Sequence, residues 1–194
     1  MTEVSAQRPA RLTDRWPTAL AIVTVAFAIG LMALVDNEAE LFGPSVTVMA
    51  GIYMLAYVIG RPWTAWLAFA VMSTVMSVLQ VLHAMDVSWA DPFVGIVVVL
   101  ALLWLLTIAR KRFTDLDTFS LQTAGAVVFG VITLVCAAVA PRLGAAVAGF
   151  GFLAHGLWDA YHFRVNKVVH RTWSEYCAVI DIPTGIALIV VALL

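Results

Sequence analysis

The sequence has few charged residues, and this scarcity indicates the class of protein. Of its 194 residues, 12% are charged and 63% are hydrophobic, and the mean hydropathy is +0.99. Water-soluble globular chains carry about 25% charged residues, so we exclude a water-soluble domain and predict a multi-pass membrane protein. The net charge of −1 argues against nucleic acid as a partner. The expected partners are membrane lipids and an amphipathic small-molecule substrate, and homo-oligomerisation stays open.

Several cofactor patterns are also missing. The two cysteines, Cys136 and Cys177, fall at different depths of hydrophobic segments, which argues against a disulfide, and there is no CxxC pattern. No lysine lies inside a hydrophobic segment, which argues against a retinal Schiff base. The four histidines are too few for a di-iron centre built on histidine boxes. His83 and His155 lie at different depths, which argues against a bis-histidine haem.

Seven hydrophobic segments have about the 20 residues that a bilayer core requires. Their predicted bounds are 16–35, 44–60, 63–83, 92–108, 120–140, 143–163 and 173–194. The connecting stretches are short, so we expect residues 1–15 to be a cytoplasmic tail and residues 16–194 to be one transmembrane helical domain. No small-residue cleavage site follows the first segment convincingly, which predicts a retained helix rather than a signal peptide. The expected fold is an all-α seven-transmembrane-helix bundle.

The basic residues predict the orientation of this bundle. With the N-terminus in the cytoplasm, ten of the eleven lysines and arginines lie on the cytoplasmic side, and only Arg142 lies outside. The outer loops then hold five acidic residues, namely Asp36, Glu38, Glu40, Asp86 and Asp91. The prediction is an N-in, C-out topology in the bacterial inner (plasma) membrane.

Ionisable residues cluster in the last two segments. In the run HGLWDAYH, the spacings of four and three place His155, Asp159 and His162 on one face of the sixth helix. Ionisable groups inside a membrane usually face the bundle interior. Glu175 and Asp181 follow on the seventh segment, and Asp181 is expected at the depth of His155 because antiparallel neighbours pack side by side. The five residues therefore predict one site in the inner leaflet.

The residue types of this site suit a metal. Histidine and carboxylate ligands favour zinc, iron(II) or manganese(II) over copper(I). We expect His155, Asp159, His162 and Asp181 to be the metal ligands, and Glu175 and Asp181 to be the catalytic groups. The spacing lacks the glutamate of an HExxH motif, so Glu175 is the candidate general base. A capping box with Thr172 would also explain Glu175.

Three functions are compatible with this pattern. The leading hypothesis is a metal-dependent intramembrane hydrolase of a lipid-like substrate. The second is a proton-coupled small-molecule transporter in which Asp159 and Asp181 titrate and His155 relays protons. The third is a non-catalytic membrane assembly subunit whose buried polar network fixes helix packing. Elsewhere, Tyr53 and Tyr57 share a face of the second helix and are expected to join helices or line a cavity near the site.

The segment 155–181, HGLWDAYHFRVNKVVHRTWSEYCAVID, resembles small bacterial membrane proteins grouped as a domain of unknown function. Their C-terminal half has a similar H-x-x-W-D-x-x-H, then NKVV, then S-E-[YF]-C and an aspartate. The resemblance implies a membrane fold of seven or eight helices and no particular activity. A looser similarity is to seven-helix zinc hydrolases of the alkaline ceramidase and adiponectin receptor kind. The chain departs from them because its last helix lacks H-x3-H and its second helix lacks Ser-x3-His.

The predicted topology is testable with reporter fusions. Because the basic loops should stay in the cytoplasm, green fluorescent protein fused after Arg112 should fluoresce, and alkaline phosphatase fused at the C-terminus should be active in the periplasm. The reverse pattern of activities in these two fusions would contradict the N-in, C-out orientation.

Overall fold

The computed structural model describes residues 15–34 and 37–194, and over these residues it is all-α. The described residues form seven α-helices: α1 (Trp16–Met32), α2 (Glu38–Ile59), α3 (Ala65–Ala84), α4 (Pro92–Ala109), α5 (Leu116–Ala138), α6 (Pro141–Val165) and α7 (Arg171–Leu193). The all-α prediction is confirmed, with one helix at each predicted hydrophobic segment. Of the predicted tail, only Arg15 belongs to the described residues, and Asp36 of the first outer loop lies outside them.

Five helical segments are long and apolar enough to cross a membrane, which indicates a membrane protein. These segments are Glu38–Ile59, Pro62–Ala84, Pro92–Ala109, Leu116–Ala138 and Arg171–Leu193. Helix α1 is apolar but has only 17 residues. Helix α6 has 25 residues, but its four glycines, two histidines and Asp159 lower its hydropathy. Seven crossings and their orientation therefore stay predictions.

Helix α2 is the centre of the bundle. It packs against α3, α4, α5 and α6, and most of its side chains are buried. The other helices surround it in chain order, since each helix from α3 to α7 contacts the next and α7 contacts α1. Trp16 of α1 and Trp66 of α3, with ring centroids 5.3 Å apart, close this ring. Residues that point inward from the surrounding helices therefore meet α2.

The start of α2 differs from the prediction. The predicted segment begins at Pro44, whereas the helix begins at Glu38. The Asn37 side chain accepts a hydrogen bond from the backbone N–H of Glu40, 3.3 Å away, and the acidic first turn suits the positive end of the helix dipole. A polar capped turn thus precedes the apolar run, which hydrophobicity alone does not detect.

Helices α6 and α7 approach to backbone contact. A Cβ atom added at Gly149 would lie 2.8 Å from the carbonyl oxygen of Gly185, and one added at Gly185 would lie 2.7 Å from the carbonyl oxygen of Gly149. Only glycine permits this distance, because other residues would force the two backbones apart. The crossing sets the separation at which the inner halves of α6 and α7 face each other.

The connections rich in basic residues meet at one end of the bundle, here called the basic end. Arg112 Nη2 donates to the carbonyl oxygen of Ile59 at 2.9 Å, and Lys167 Nζ donates to Asp115 Oδ2 at 2.5 Å. The α6–α7 connection donates a backbone N–H to the carbonyl oxygen of Pro62, 3.1 Å away. The α2–α3, α4–α5 and α6–α7 connections therefore lie together.

The glycine crossing predicts that an added methyl group lowers stability at Gly185 but not at Gly30. In the variant Gly185→Ala, the new Cβ meets backbone atoms that move only with the whole helix, so we expect a loss of about 1–3 kcal/mol of stability. Thermal unfolding in detergent measures this loss. Gly30→Ala is the matched control, since a Cβ there meets nothing within 4 Å. Equal melting temperatures for the two variants would contradict the proposed role of the crossing.

Candidate metal centre

His155, Asp159 and Asp181 converge between α6 and α7. His155 Nδ1 lies 2.8 Å from Asp181 Oδ2 and 3.3 Å from Asp159 Oδ2. One nitrogen or oxygen atom from each residue lies within 4.8 Å of the others. The exposed fractions of the three residues are 0%, 0% and 2%. The structure thus brings together three of the four predicted metal ligands in a fully buried position.

Local helix geometry explains this convergence. A spacing of four residues places His155 and Asp159 one turn apart on the same face of α6. Between them, Gly156 leaves room for α7, because a Cβ there would lie 2.8 Å from Ile182 Cγ1 and 3.7 Å from Asp181 Cβ. The missing side chain at position 156 therefore lets Asp181 stand beside His155.

Tyr53 of the central helix completes the group. Its hydroxyl donates a hydrogen bond to Asp159 Oδ1 at 2.5 Å and lies 3.4 Å from Ser174 Oγ. The Tyr53 side chain is 1% exposed. The sequence predicted that Tyr53 would join helices or line a cavity, but its partner depends on how α2 and α6 face each other. The hydroxyl fixes one carboxylate oxygen of Asp159 and leaves the other directed at His155.

Buried polar atoms without a hydrogen-bond partner concentrate around this group. Among the described residues, such atoms include His155 Nε2, Trp158 Nε1, Asp159 Oδ2 and Thr184 Oγ1, with only Trp173 Nε1 as a further case. Thr184 follows Asp181 by about one helical turn. Two ionised carboxylates would carry more charge than one protonated imidazole, and a buried excess of this kind needs a proton or a cation to balance it.

The donor set fits a divalent transition metal. A tetrahedral zinc ion with bonds of about 2.0–2.2 Å keeps its ligand atoms about 3.3–3.6 Å apart. The distances from His155 Nδ1 to the two aspartates, 2.8 and 3.3 Å, require shifts of a few tenths of an ångström. Tyr53 would act as the outer partner that orients a carboxylate ligand. His155, Asp159 and Asp181 are therefore able to hold zinc, iron(II) or manganese(II).

His162, the fourth predicted ligand, has other partners. Its Nδ1 lies 2.9 Å from the carbonyl oxygen of Trp158, so this nitrogen donates. Its Nε2 lies 3.0 Å from Gln122 Nε2 of α5 and accepts from that amide. Both nitrogens of the neutral ring are thus occupied, and His162 is not one of the three clustered residues. It lies beside the group, with its ring centroid 4.6 Å from that of Tyr53.

Glu175, the predicted acid or base, contacts α1. Its Oε1 accepts hydrogen bonds from Thr18 Oγ1 at 2.5 Å and from Arg15 Nη1 at 3.3 Å. These contacts join α7 to α1 rather than to the buried group. The capping-box explanation is wrong, because α7 begins at Arg171 and the side chain of His170 caps it. A catalytic role for Glu175 stays a prediction.

A polar cavity of about 340 Å³ lies next to His162 at the basic end. Its lining between α5 and α6 includes Asp117, Thr118, Tyr161, His162 and Lys167. At this end the Lys167 ammonium, together with the amide and hydroxyl of Thr118, holds the pKa of the Asp115 carboxyl below its usual range. The Lys167 charge is therefore balanced by Asp115, whereas Asp117 adds a negative charge to the cavity.

No family model, curated protein or solved structure matches the chain. Both resemblances of the 155–181 segment therefore stay predictions.

Removal of the Tyr53 hydroxyl tests the geometry of the group. Tyr53→Phe leaves Asp159 Oδ1 buried without a donor, and we expect a loss of about 1–3 kcal/mol, measured by thermal unfolding in detergent. The matched control is Tyr57→Phe on the same helix, whose hydroxyl donates to the carbonyl oxygen of Arg112 at the basic end. Water can replace that donor, so the control should lose less. A larger loss in Tyr57→Phe would contradict the assignment.

Proposed function

We propose that the chain is a metal-dependent intramembrane hydrolase with His155, Asp159 and Asp181 as its metal ligands. The metal is zinc, or iron(II) or manganese(II), and the substrate is a lipid or another amphipathic molecule from the inner leaflet. The proposal includes seven membrane crossings with an N-in, C-out topology in the bacterial inner membrane. Its orientation follows from the basic residues, and its metal site from the geometry of α6 and α7.

The observation that carries the proposal is the fully buried cluster of two aspartates around one histidine. Asp159 Oδ2 has no hydrogen-bond partner, although the residue is fully buried. Two ionised carboxylates that share one imidazole in a membrane interior are strongly unfavourable without a further positive charge. A divalent cation removes this penalty and explains why two carboxylates and an imidazole stand within 4.8 Å of one another.

Each residue has a defined task in this proposal. His155 and Asp181 hold the ion between α6 and α7, and Asp159 adds a third ligand whose orientation Tyr53 fixes. Such an ion, when bound, supplies Lewis acidity toward a carbonyl or phosphoryl oxygen and lowers the pKa of water. The Thr184 hydroxyl, which is buried and without a partner, is available to position a substrate group. The surrounding helices exclude bulk water.

A second candidate function is a proton-coupled transporter, which one observation favours. Polar cavities exist at both ends of the bundle. One is the 340 Å³ cavity beside His162, and the other has a volume of about 440 Å³ and includes Asn37, Glu40, Gln80 and His83 in its lining. The buried group lies between these cavities, where Asp159 and Asp181 would carry the protons. In this case the charge is balanced by protons and not by a metal.

Metal analysis separates these functions. We expect protein purified without a polyhistidine tag to hold about one transition-metal ion per chain, as three protein ligands and an open position imply. Asp181→Asn and Asp159→Asn should weaken zinc binding by more than the roughly 10–100-fold caused by loss of an outer partner. The measurements are elemental analysis of the purified protein and zinc titration of the chelator-stripped protein.

His83→Ala is the matched control, because His83 lies at the opposite end of the bundle and should not affect zinc binding. A wild-type protein that binds no transition metal, with a stability that does not change in His155→Ala, would exclude the metal site. Absence of metal together with proton uptake coupled to solute movement in vesicles would establish the transporter instead. Absence of both, with lower stability in Asp181→Asn, would indicate a structural network.

A further inference from the structure

The buried position of the group requires an access route for its metal. None of the three ligands is more than 2% exposed, so an ion must pass between helices to reach them. Of the two polar cavities described above, the 440 Å³ cavity includes no residue of α6 or α7 in its lining. The 340 Å³ cavity includes His162, which lies one helical turn from Asp159. The 340 Å³ cavity is therefore the one that leads toward the three metal ligands.

Polar side chains continue from this cavity into the bundle. On α5, Thr118 lines the cavity and Gln122 follows one turn deeper, where it is 2% exposed. On α6, His162 also lines the cavity, and Asp159 follows one turn deeper. Gln122 and His162 meet across the two helices, with 3.0 Å between their Nε2 atoms. Thr118, Gln122 and His162 thus form a polar path from the cavity to Asp159, one of the proposed metal ligands.

The contact between Gln122 and His162 is suited to a passing cation. His162 donates through Nδ1 to the carbonyl oxygen of Trp158, so its Nε2 carries the lone pair. A half-turn of the Gln122 amide would exchange its NH₂ group for its carbonyl oxygen. The ring nitrogen and the carbonyl oxygen would then be two acceptors directed at one point. Imidazole and carbonyl groups are both ligands for divalent metals.

One acidic group of the cavity lining is available to a cation. Asp117 and Lys167 both line the cavity, and the Lys167 ammonium pairs with Asp115 at 2.5 Å. The Asp117 carboxylate is therefore a candidate oxygen ligand for a divalent cation inside the cavity.

We propose that the metal ion enters through the α5–α6 cavity and that His162 and Gln122 form a transient metal site on its way to Asp159. The proposal rests on the metal site of the proposed function. It assigns His162 to the access route rather than to the final ligand set. Residues of a route change the rates of metal loading and removal, whereas residues of the final site change the affinity.

The test compares these rates and affinities in the full-length, chelator-stripped protein in detergent. Zinc loading is followed by stopped-flow competition with a fluorescent zinc indicator, and zinc removal is followed after addition of EDTA. Leu121 of α5 also lines the 340 Å³ cavity. The variants are Leu121→Trp, which fills the cavity, and Gln122→Leu, which removes the amide. Glu40→Gln, in the cavity at the other end, is the matched control.

We expect Leu121→Trp and Gln122→Leu to slow both loading and removal by roughly tenfold or more, which corresponds to a barrier raised by about 1.4 kcal/mol. Their final zinc content and zinc affinity should equal those of the wild type, and Glu40→Gln should match the wild type throughout.

Unchanged rates in Leu121→Trp, or slower rates in Glu40→Gln, would overturn the route. A lower final zinc content in Gln122→Leu would also overturn it, because Gln122 would then support the final site. A wild-type protein that takes up no zinc would instead exclude the metal site itself.

Discussion

The close approach of α6 and α7 is the constraint on which the site depends. The backbones meet at Gly149 and Gly185, and Gly156 extends the approach toward the basic end. In a membrane, helices have little hydrophobic drive to associate, so close packing at small residues supplies much of the attraction. The same approach places Asp181 beside His155. Packing energy and site geometry therefore come from one set of glycines, and a change in the crossing would alter both.

The central position of α2 explains how a bilayer can accommodate a helix as polar as α6. The polar face of α6 is covered by α2, α5 and α7, so His155, Asp159 and His162 are shielded from lipid. Tyr53 and Gln122 supply hydrogen bonds from two of these covering helices. The three clustered residues lie in the least solvated part of the bundle, where Coulomb interactions are strongest. A group of this kind is able to hold a metal ion.

The sequence predicts contacts well where they follow from spacing within one helix, and poorly where they depend on how helices face each other. The hydrophobic segments located all seven described helices, and equal depth on antiparallel neighbours paired His155 with Asp181. The partners of Glu175 and His162 were beyond such reasoning, because Thr18 and Gln122 lie on helices whose rotation about their own axes leaves no pattern in the sequence. The start of α2 was placed too late because a polar capped turn carries no hydrophobic signal.

The packing of α1 has a consequence for biogenesis. Of the seven described helices, α1 emerges first from the ribosome and α7 emerges last, yet α7 is the main neighbour of α1. Glu175 binds Thr18, and Tyr176 lies 3.1 Å from the hydroxyl of Thr24. These contacts span more than 150 residues, so they form only when synthesis is nearly complete. Until then, α1 lacks its main neighbouring helix and contacts lipid or the insertion machinery instead. Assembly ends when α7 packs against α1.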